Sequence, residues 1–245
     1  MLIFGIHACR EAILSKKREV LKVFLQNDEK HFEFLKRLKT CEILYVGNKF
    51  FQKVLPENAV HQGIAAEVSE EVSLDISNLK TSPTNCSIAI LDNITDPRNL
   101  GAIIRSAATF GIFGLILPER SSCKITGAVA KTASGGLEHV NIYYVKNLSQ
   151  TIEQLKSFGF WMFSFSEHGQ KFLHDVDLKG KSCLIFGSEE KGIRKIQMEK
   201  SDFIVKLPTN NAFQTLNVSV AASIAFYETA KQNSFALKNH CINAL

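Results

Sequence analysis

Three stretches of this chain gather polar residues directly after apolar runs. Thr95-Asp96-Pro97-Arg98-Asn99-Leu100-Gly101 follows CSIAILDNI, with Arg105 one helical turn beyond Gly101. Ser188-Glu189-Glu190-Lys191-Gly192 follows SCLIFG, whose last residue is Gly187. Thr209, Asn210 and Asn211, then Thr215 and Asn217, follow FIVKLP, which contains Leu207. If the apolar runs are parallel strands, these loops leave their C-terminal ends, where open α/β sheets bind ligands. One such loop is unremarkable, but three on one sheet converge on a site. The planar guanidinium of Arg105 suits a bidentate grip on a phosphate. Several other chemistries are excluded. No G-x-x-x-x-G-K-[ST] loop is present, and no G-x-G-x-x-G follows a strand, so ordinary NTPase and dinucleotide sites and the usual methyltransferase glycine loop are missing. His7, His61, His139, His168 and His174 have no metal-ligand spacing, and no metal is expected.

Each of these residues also has a plainer role open to it. Asp96-Pro97 is a common turn opener and Asn99 a good helix N-cap. Gly187 and Gly192 could be turn glycines, and Glu189 a solvated charge. Thr215 and Asn217 could cap the helix that begins beside them. Arg105 is odder, because it lies among Ile103, Ile104, Ala107 and Ala108 on a helix that a parallel sheet packs closely; it could extend its charge to the surface along an apolar stem.

The elements that must hold these loops can be read from apolar rhythm. Between residues 86 and 233, strand patterns alternate with helical ones: CSIAILDNI, the helix NLGAIIRSAATFG stopping at Gly111, the strand GLILPE, a helix over TGAVAKTASGG, then VNIYYV, LSQTIEQLKSFG, FWMFSFS, SCLIFG, FIVKLP and the last helix LNVSVAASIAFYETAKQ. That alternation predicts a parallel α/β sheet. Residues 1–72 carry a smaller α/β pattern. Ala8, Ala12 and Ile13–Leu14 have helical spacing, VLKVFLQ and EILYVG read as strands around a charged helix from His31 to Lys39, and HQGIAAEVS closes the unit. Residues 73–84 lose the apolar rhythm and read as a linker, with 85–245 as the second domain.

Lys plus Arg number 29 against 24 Asp plus Glu, a net charge of +5 that allows a nucleic-acid partner without demanding one. Lys16, Lys17 and Arg18 could touch phosphate or could be a solvated helix end. Six cysteines include no C-x-x-C pair, so a zinc ribbon or thioredoxin-type site is not expected and reduced thiols are. The opening MLIFGIHACRE has too short an apolar run for a signal peptide, and no stretch approaches the roughly 18 apolar residues of a membrane span. A soluble, cytoplasmic protein is expected.

LDNITDPRNLGAIIRSAATFG, LIFGSEEKG and LPTNNAFQTLNVSVAASIAFYE occur in this order. They resemble the three motifs of the SpoU (TrmH) family of RNA 2′-O-ribose methyltransferases, within the SPOUT superfamily. ASGGLEH at 133–139 resembles the same family. FGIHACREAI and HQGIAAEV resemble the L30e-like RNA-binding domain that precedes the catalytic domain in the branch acting on a guanosine of large-subunit (23S) ribosomal RNA. The resemblance implies a parallel sheet with a C-terminal trefoil knot, contrary to general fold rules, a homodimer through the C-terminal domain, and S-adenosylmethionine as cofactor. Carried over, Gly187, Leu207 and Leu216 contact the cofactor, largely through main chain. Asn99, Arg105, Glu189, Thr215 and Asn217 match the family's functional polar positions.

The chain departs from the family at Thr215, where Ser is usual, at Asn211, where Gly is usual, and at Thr209, where Met is usual. The hydroxyl survives at Thr215, and Asn tolerates left-handed backbone better than most residues, so the reaction class is expected to hold. A transfer RNA ribose methyltransferase and a homologue that binds RNA without catalysis are the alternatives. The resemblance implies Arg105 as the catalytic base, although a guanidinium, with a pKa above about 12, is a poor one. Arg105 is therefore expected to grip the target phosphate and steer the 2′-oxygen. Asn99 would hold its loop or the ribose, and Glu189 would orient neighbouring groups or pair with Arg105.

Overall fold

The structure is a computed structural model that describes residues 1–26, 33–38, 41–57, 59–70, 73–188, 192–210 and 215–233. Two sheets form. The first contains β1 (Leu2–Phe4), β2 (Val20–Leu25), β3 (Glu42–Tyr45) and β4 (Ile64–Val68) in the order β1-β4-β2-β3, with α1 (Ile6–Ser15) and α2 (Asn48–Val54) in the connections. β4 runs antiparallel to β1 and β2, and β2 is parallel to β3.

The second sheet has the order β7-β6-β5-β10-β8-β11-β9, and every neighbouring pair is parallel. Its strands are β5 (Cys86–Leu91), β6 (Gly114–Pro118), β7 (Asn141–Val145), β8 (Trp161–Phe165), β9 (Lys171–Phe172), β10 (Lys181–Phe186) and β11 (Phe203–Lys206). The helices are α3 (Pro97–Thr109), α4 (Gly127–Ala133), α5 (Leu148–Ser157), α6 (Lys195–Glu199) and α7 (Val218–Asn233). The central strands β5 and β6 are buried at every position because both faces are covered. Ile88 and Ile90 of β5 face a core shared with α5, while Ala89 and Leu91 face the opposite core with α3 and α7. β10 alternates in the same way, with Cys183 and Ile185 on one side and Leu184 and Phe186 on the other.

The parallel alternation expected from the sequence is present, and the small elements are where the structure adds to it. β1, β9, α2 and α6 are too short to show a period. Of the charged helix read over His31 to Lys39, Glu33–Arg37 is a 3₁₀ turn, and His31, Phe32 and Lys39 lie outside the described residues. Residues 73–84 do not hang free. Leu74 N donates to Ile142 O at 3.0 Å, Tyr144 N donates to Ser73 Oγ at 3.0 Å, and a 3₁₀ turn over Ile76–Thr81 buries Leu79 completely.

The two sheets share one apolar core. Ile3, Cys9, Val23, Ile64 and Ala66 join the same cluster as Leu100, Ile103 and Leu115. The contact is close enough that a Cβ on Gly127 would sit 2.3 Å from Leu2 O. Arg18 crosses this seam. It forms a buried ion pair with Glu138, and Ser15 Oγ donates to Glu138 Oε2 at 3.4 Å. Lys17 Nζ donates to Leu137 O at 2.9 Å and Val140 O at 2.6 Å. Arg18 is therefore buried away from phosphate, and Lys17, though exposed, spends its ammonium on two carbonyls: both tie the end of α1 to the segment after α4, and Lys16 is exposed beside them. Among the described residues no helix is long and apolar enough to cross a membrane.

Removing one partner of a buried ion pair strands the other, at a cost of about 3–5 kcal/mol. Glu138→Ala is expected to lose stability on that scale in urea unfolding. The double variant Arg18→Met, Glu138→Leu, which leaves no charge behind, is expected to recover most of it.

Candidate active site

The site lies where the strand order reverses. From β5 the chain adds β6 and β7 on one side, while β10, β8 and β11 lie on the other. The C-terminal ends of β5 and β10 therefore open into a crevice, the place where doubly wound sheets bind ligands. A cavity of about 510 Å³ occupies it, lined by Asn93, Asp96 and Asn99 after β5, by Arg120 to Cys123 after β6 and by Ser188 after β10.

Local chemistry shapes each wall. Asn93 takes a left-handed backbone (φ 60°), which turns the chain sharply as it leaves β5. Asp96, not Asn99, caps α3: its Oδ1 accepts from Arg98 N at 2.7 Å, with Pro97 in the first turn. That leaves Asn99 inside the first turn with its side chain buried. Its Oδ1 accepts from Asn217 Nδ2 at 3.1 Å, which joins the first polar loop to the third. Asn217 is also a helix cap. Its Oδ1 accepts from Ser219 N at 2.8 Å and Ser219 Oγ at 2.6 Å, at the start of α7. Further along the same two helices, Ser106 Oγ and Ser223 Oγ share a hydrogen bond at 2.7 Å.

The two ends of the second loop meet. Gly192 N donates to Ser188 O at 2.9 Å, and a Cβ placed on Gly187 would lie 2.1 Å from Gly192 C and O. Only glycine allows that main-chain approach. Beyond the loop, Arg194 donates from Nε and Nη2 to the two oxygens of buried Asp92 at 2.8 and 2.7 Å. This bidentate pair fastens the chain after the second loop to the end of β5. Asp92 and Arg194 were not singled out in the sequence; the Asp at the end of an apolar strand was the available signal.

The remaining residues named from the sequence are spread around this centre. Thr215 and Leu216 are exposed beside Asn217. Leu207 is half-buried against the main core after β11. Arg105 stands on the exposed side of α3, further along it than Asn99, and does not line the cavity. Its backbone is packed by Gly136, where a Cβ would meet Arg105 Cα at 3.1 Å. Glu189 and Asn211 lie outside the described residues. Cys123 lines the cavity as a thiol, since burial and then the Asp96 carboxylate raise its pKa above the ordinary value. Among the described residues no three His, Cys, Asp or Glu side chains cluster as metal ligands.

Comparison with known proteins agrees with this layout. The SpoU rRNA Methylase family matches residues 87–227, and the family described as RNA 2′-O ribose methyltransferase substrate binding matches residues 2–72. The chain belongs to the SpoU rRNA methylase family. An uncharacterized tRNA/rRNA methyltransferase of Synechocystis is 35% identical over 96% of this chain, and the chain spans 63% of that relative's length. The 23S rRNA (guanosine-2′-O-)-methyltransferase RlmB of Coxiella burnetii is 32% identical, over 94% of this chain and 95% of its own. The fold matches that of the SpoU methyltransferase AviRb from Streptomyces viridochromogenes, solved in complex with the cofactor AdoMet, with a TM-score of 0.83 and 20% identity, covering 95% of this chain and 89% of AviRb. In this SpoU methylase the Asn99–Asn217 hydrogen bond is the contact between two of the three motifs that lies at the cavity.

That bond is testable on its own. In a double-mutant cycle of Asn99→Ala and Asn217→Ala, unfolding free energies are expected to show a coupling of about 1 kcal/mol, the worth of one hydrogen bond. Strict additivity would mean that the two amides do not act on each other.

Proposed function

We propose that the chain is an S-adenosylmethionine-dependent RNA 2′-O-ribose methyltransferase that modifies a guanosine of large-subunit (23S) ribosomal RNA in the cytoplasm. One observation carries the reading: Asn99 and Asn217, from separate motifs, meet at 3.1 Å at the edge of a cavity that Ser188 of the remaining motif also lines. The match to the substrate-binding family over residues 2–72 and the 32% identity to a 23S enzyme support the choice of RNA.

The residues present fit the cofactor. Gly187 keeps main chain, rather than a side chain, at the turn after β10, and Leu216 offers an exposed apolar side chain in the third motif. Gly187, Leu207 and Leu216 would hold S-adenosylmethionine, which supplies an already activated methyl group on a sulfonium. What remains for the protein is to orient the ribose 2′-hydroxyl and help its proton leave. Asn99 and Asn217, each fixed by the other, present a rigid polar edge. Thr215 keeps a hydroxyl at that edge. Arg105 grips the phosphate of the target nucleotide, and the proton leaves through phosphate or water. Glu189 orients its neighbours or pairs with Arg105.

The active form on this reading is a homodimer through the C-terminal domain. Val220, Ile224 and Tyr227 make an exposed apolar stripe at helical spacing along α7. A second copy would cover it and could bring its own Arg105 to the cavity. The return of α7 to pack on α3 and β10 is read as part of the C-terminal trefoil knot.

Ribose methylation mapped in ribosomal and transfer RNA, from cells with and without the gene, is expected to differ at one guanosine of the large-subunit RNA. A difference confined to transfer RNA would move the substrate, and none in either would remove the function. Arg105→Ala is expected to slow methyl transfer by about 10²–10⁴-fold, with S-adenosylmethionine affinity in calorimetry unchanged. Near-normal turnover would take Arg105 out of the mechanism.

A further inference from the structure

We infer that the RNA strand does not end in the reaction cavity but continues over Arg120 into a second cavity, where Arg120 and Lys146 hold the phosphate of a neighbouring nucleotide. The inference rests on the methyltransferase reading above. The second cavity, about 170 Å³, sits beyond the ends of β6 and β7, at the starts of α5 and α6. Arg120 and Ser121 line both cavities, so the two are consecutive along one path.

The charges of the second cavity are one-sided. Arg120, Lys146 and Arg194 line it, and no carboxylate does among the described residues. Arg194 is already committed to Asp92. Arg120 and Lys146 are exposed, and neither belongs to an ion pair among the described residues. The ten-residue helix α5 also opens here behind its Asn147 cap, which adds the positive end of its dipole. Two uncompensated cations and a helix start favour an anion, and on an RNA substrate that anion is a backbone phosphate.

A second, independent observation concerns the base. Gln197 lines the same cavity, is 1% exposed, and its Oε1 has no hydrogen-bond partner among the described residues. Buried acceptors are rarely left unpaired. An amino or imino N–H of a nucleobase is a donor that a small adjustment of this side chain could engage. Ile196, 47% exposed at the same wall, gives a base face an apolar surface to rest on. Cations with an apolar platform are the recurring equipment for an unpaired strand. The ligand class is therefore a single-stranded stretch of at least two nucleotides, with the methylated one in the larger cavity and its neighbour in the smaller.

The test uses the full chain and an in-vitro transcript of large-subunit ribosomal RNA, with retention on filters measured from about 50 to 200 mM salt. Each of Arg120→Ala and Lys146→Ala is expected to weaken binding about 5- to 10-fold and to flatten the log–log salt slope by about 0.7–0.9, the loss of one phosphate contact. Lys179→Ala, an exposed lysine at the opposite end of the sheet, is expected to bind like the unsubstituted chain. Excess inorganic phosphate or guanosine monophosphate should not displace the transcript at equal ionic strength; displacement would make this a mononucleotide site and overturn the strand path. Lys146→Ala removes only an exposed side chain, so misfolding would not obscure its result. If the unsubstituted chain transfers methyl while both variants keep its salt slope, this inference alone fails. If the unsubstituted chain neither transfers methyl nor retains RNA, the methyltransferase reading fails with it.

Discussion

β5 and β10 lie side by side and parallel, in register from Cys86 beside Lys181 to Leu91 beside Phe186. About ninety residues of chain separate them, yet their last residues end at one level. Asp92 N donates to Phe186 O at 2.8 Å, closing the pair at its tip. Both strands are buried on both faces, so their register is set by two cores at once: a slip of one residue would exchange the Ile88–Ile90 side for the Ala89–Leu91 side. The polar loops that follow have nowhere to go but into the same crevice. The Asp92–Arg194 pair and the Gly187–Gly192 apposition then fix the loops relative to the strand ends.

The N-terminal sheet is part of the same construction. α1 reaches the segment after α4 through Arg18 and Lys17, and that segment packs by Gly136 against the backbone of α3 at Arg105. A chain of contacts thus runs from the smaller sheet to the helix that carries the proposed phosphate grip. The seam contains charges that water cannot reach, which specify one docking geometry and tolerate displacement poorly.

Much of this was legible in the residues. Long apolar runs such as CSIAILDNI and SCLIFG announce strands covered on both sides, and the three polar loops after them mark the crevice. The family motifs supplied what periodicity cannot, because strand order depends on pairings between distant segments. The sequence misassigned local roles where two residues competed for one position. Asn99 looked like a cap, but Asp96 three residues earlier takes that place, because it stands directly before Pro97 at the start of α3 and its carboxylate accepts from Arg98 N. Arg18 looked like surface charge because its partner, Glu138, lies 120 residues away. Arg105 stands on the exposed side of α3, and its role comes from the family motif, which periodicity could not supply. The strands too short to show a period, β1 and β9, could not be read at all.

The segment joining the two sheets has a further consequence. β7 is the outermost strand on its side, and an uncovered border of this kind invites pairing with another chain. Ser73 and Leu74 bond to Tyr144 and Ile142 of that strand, and the turn that follows buries Leu79. The connector thereby acts as a selvage, occupying donors and acceptors that would otherwise template stacking between molecules. Lengthening it with flexible residues would do more than loosen the joint: it would unmask that border and favour fibrous or amorphous self-association during folding.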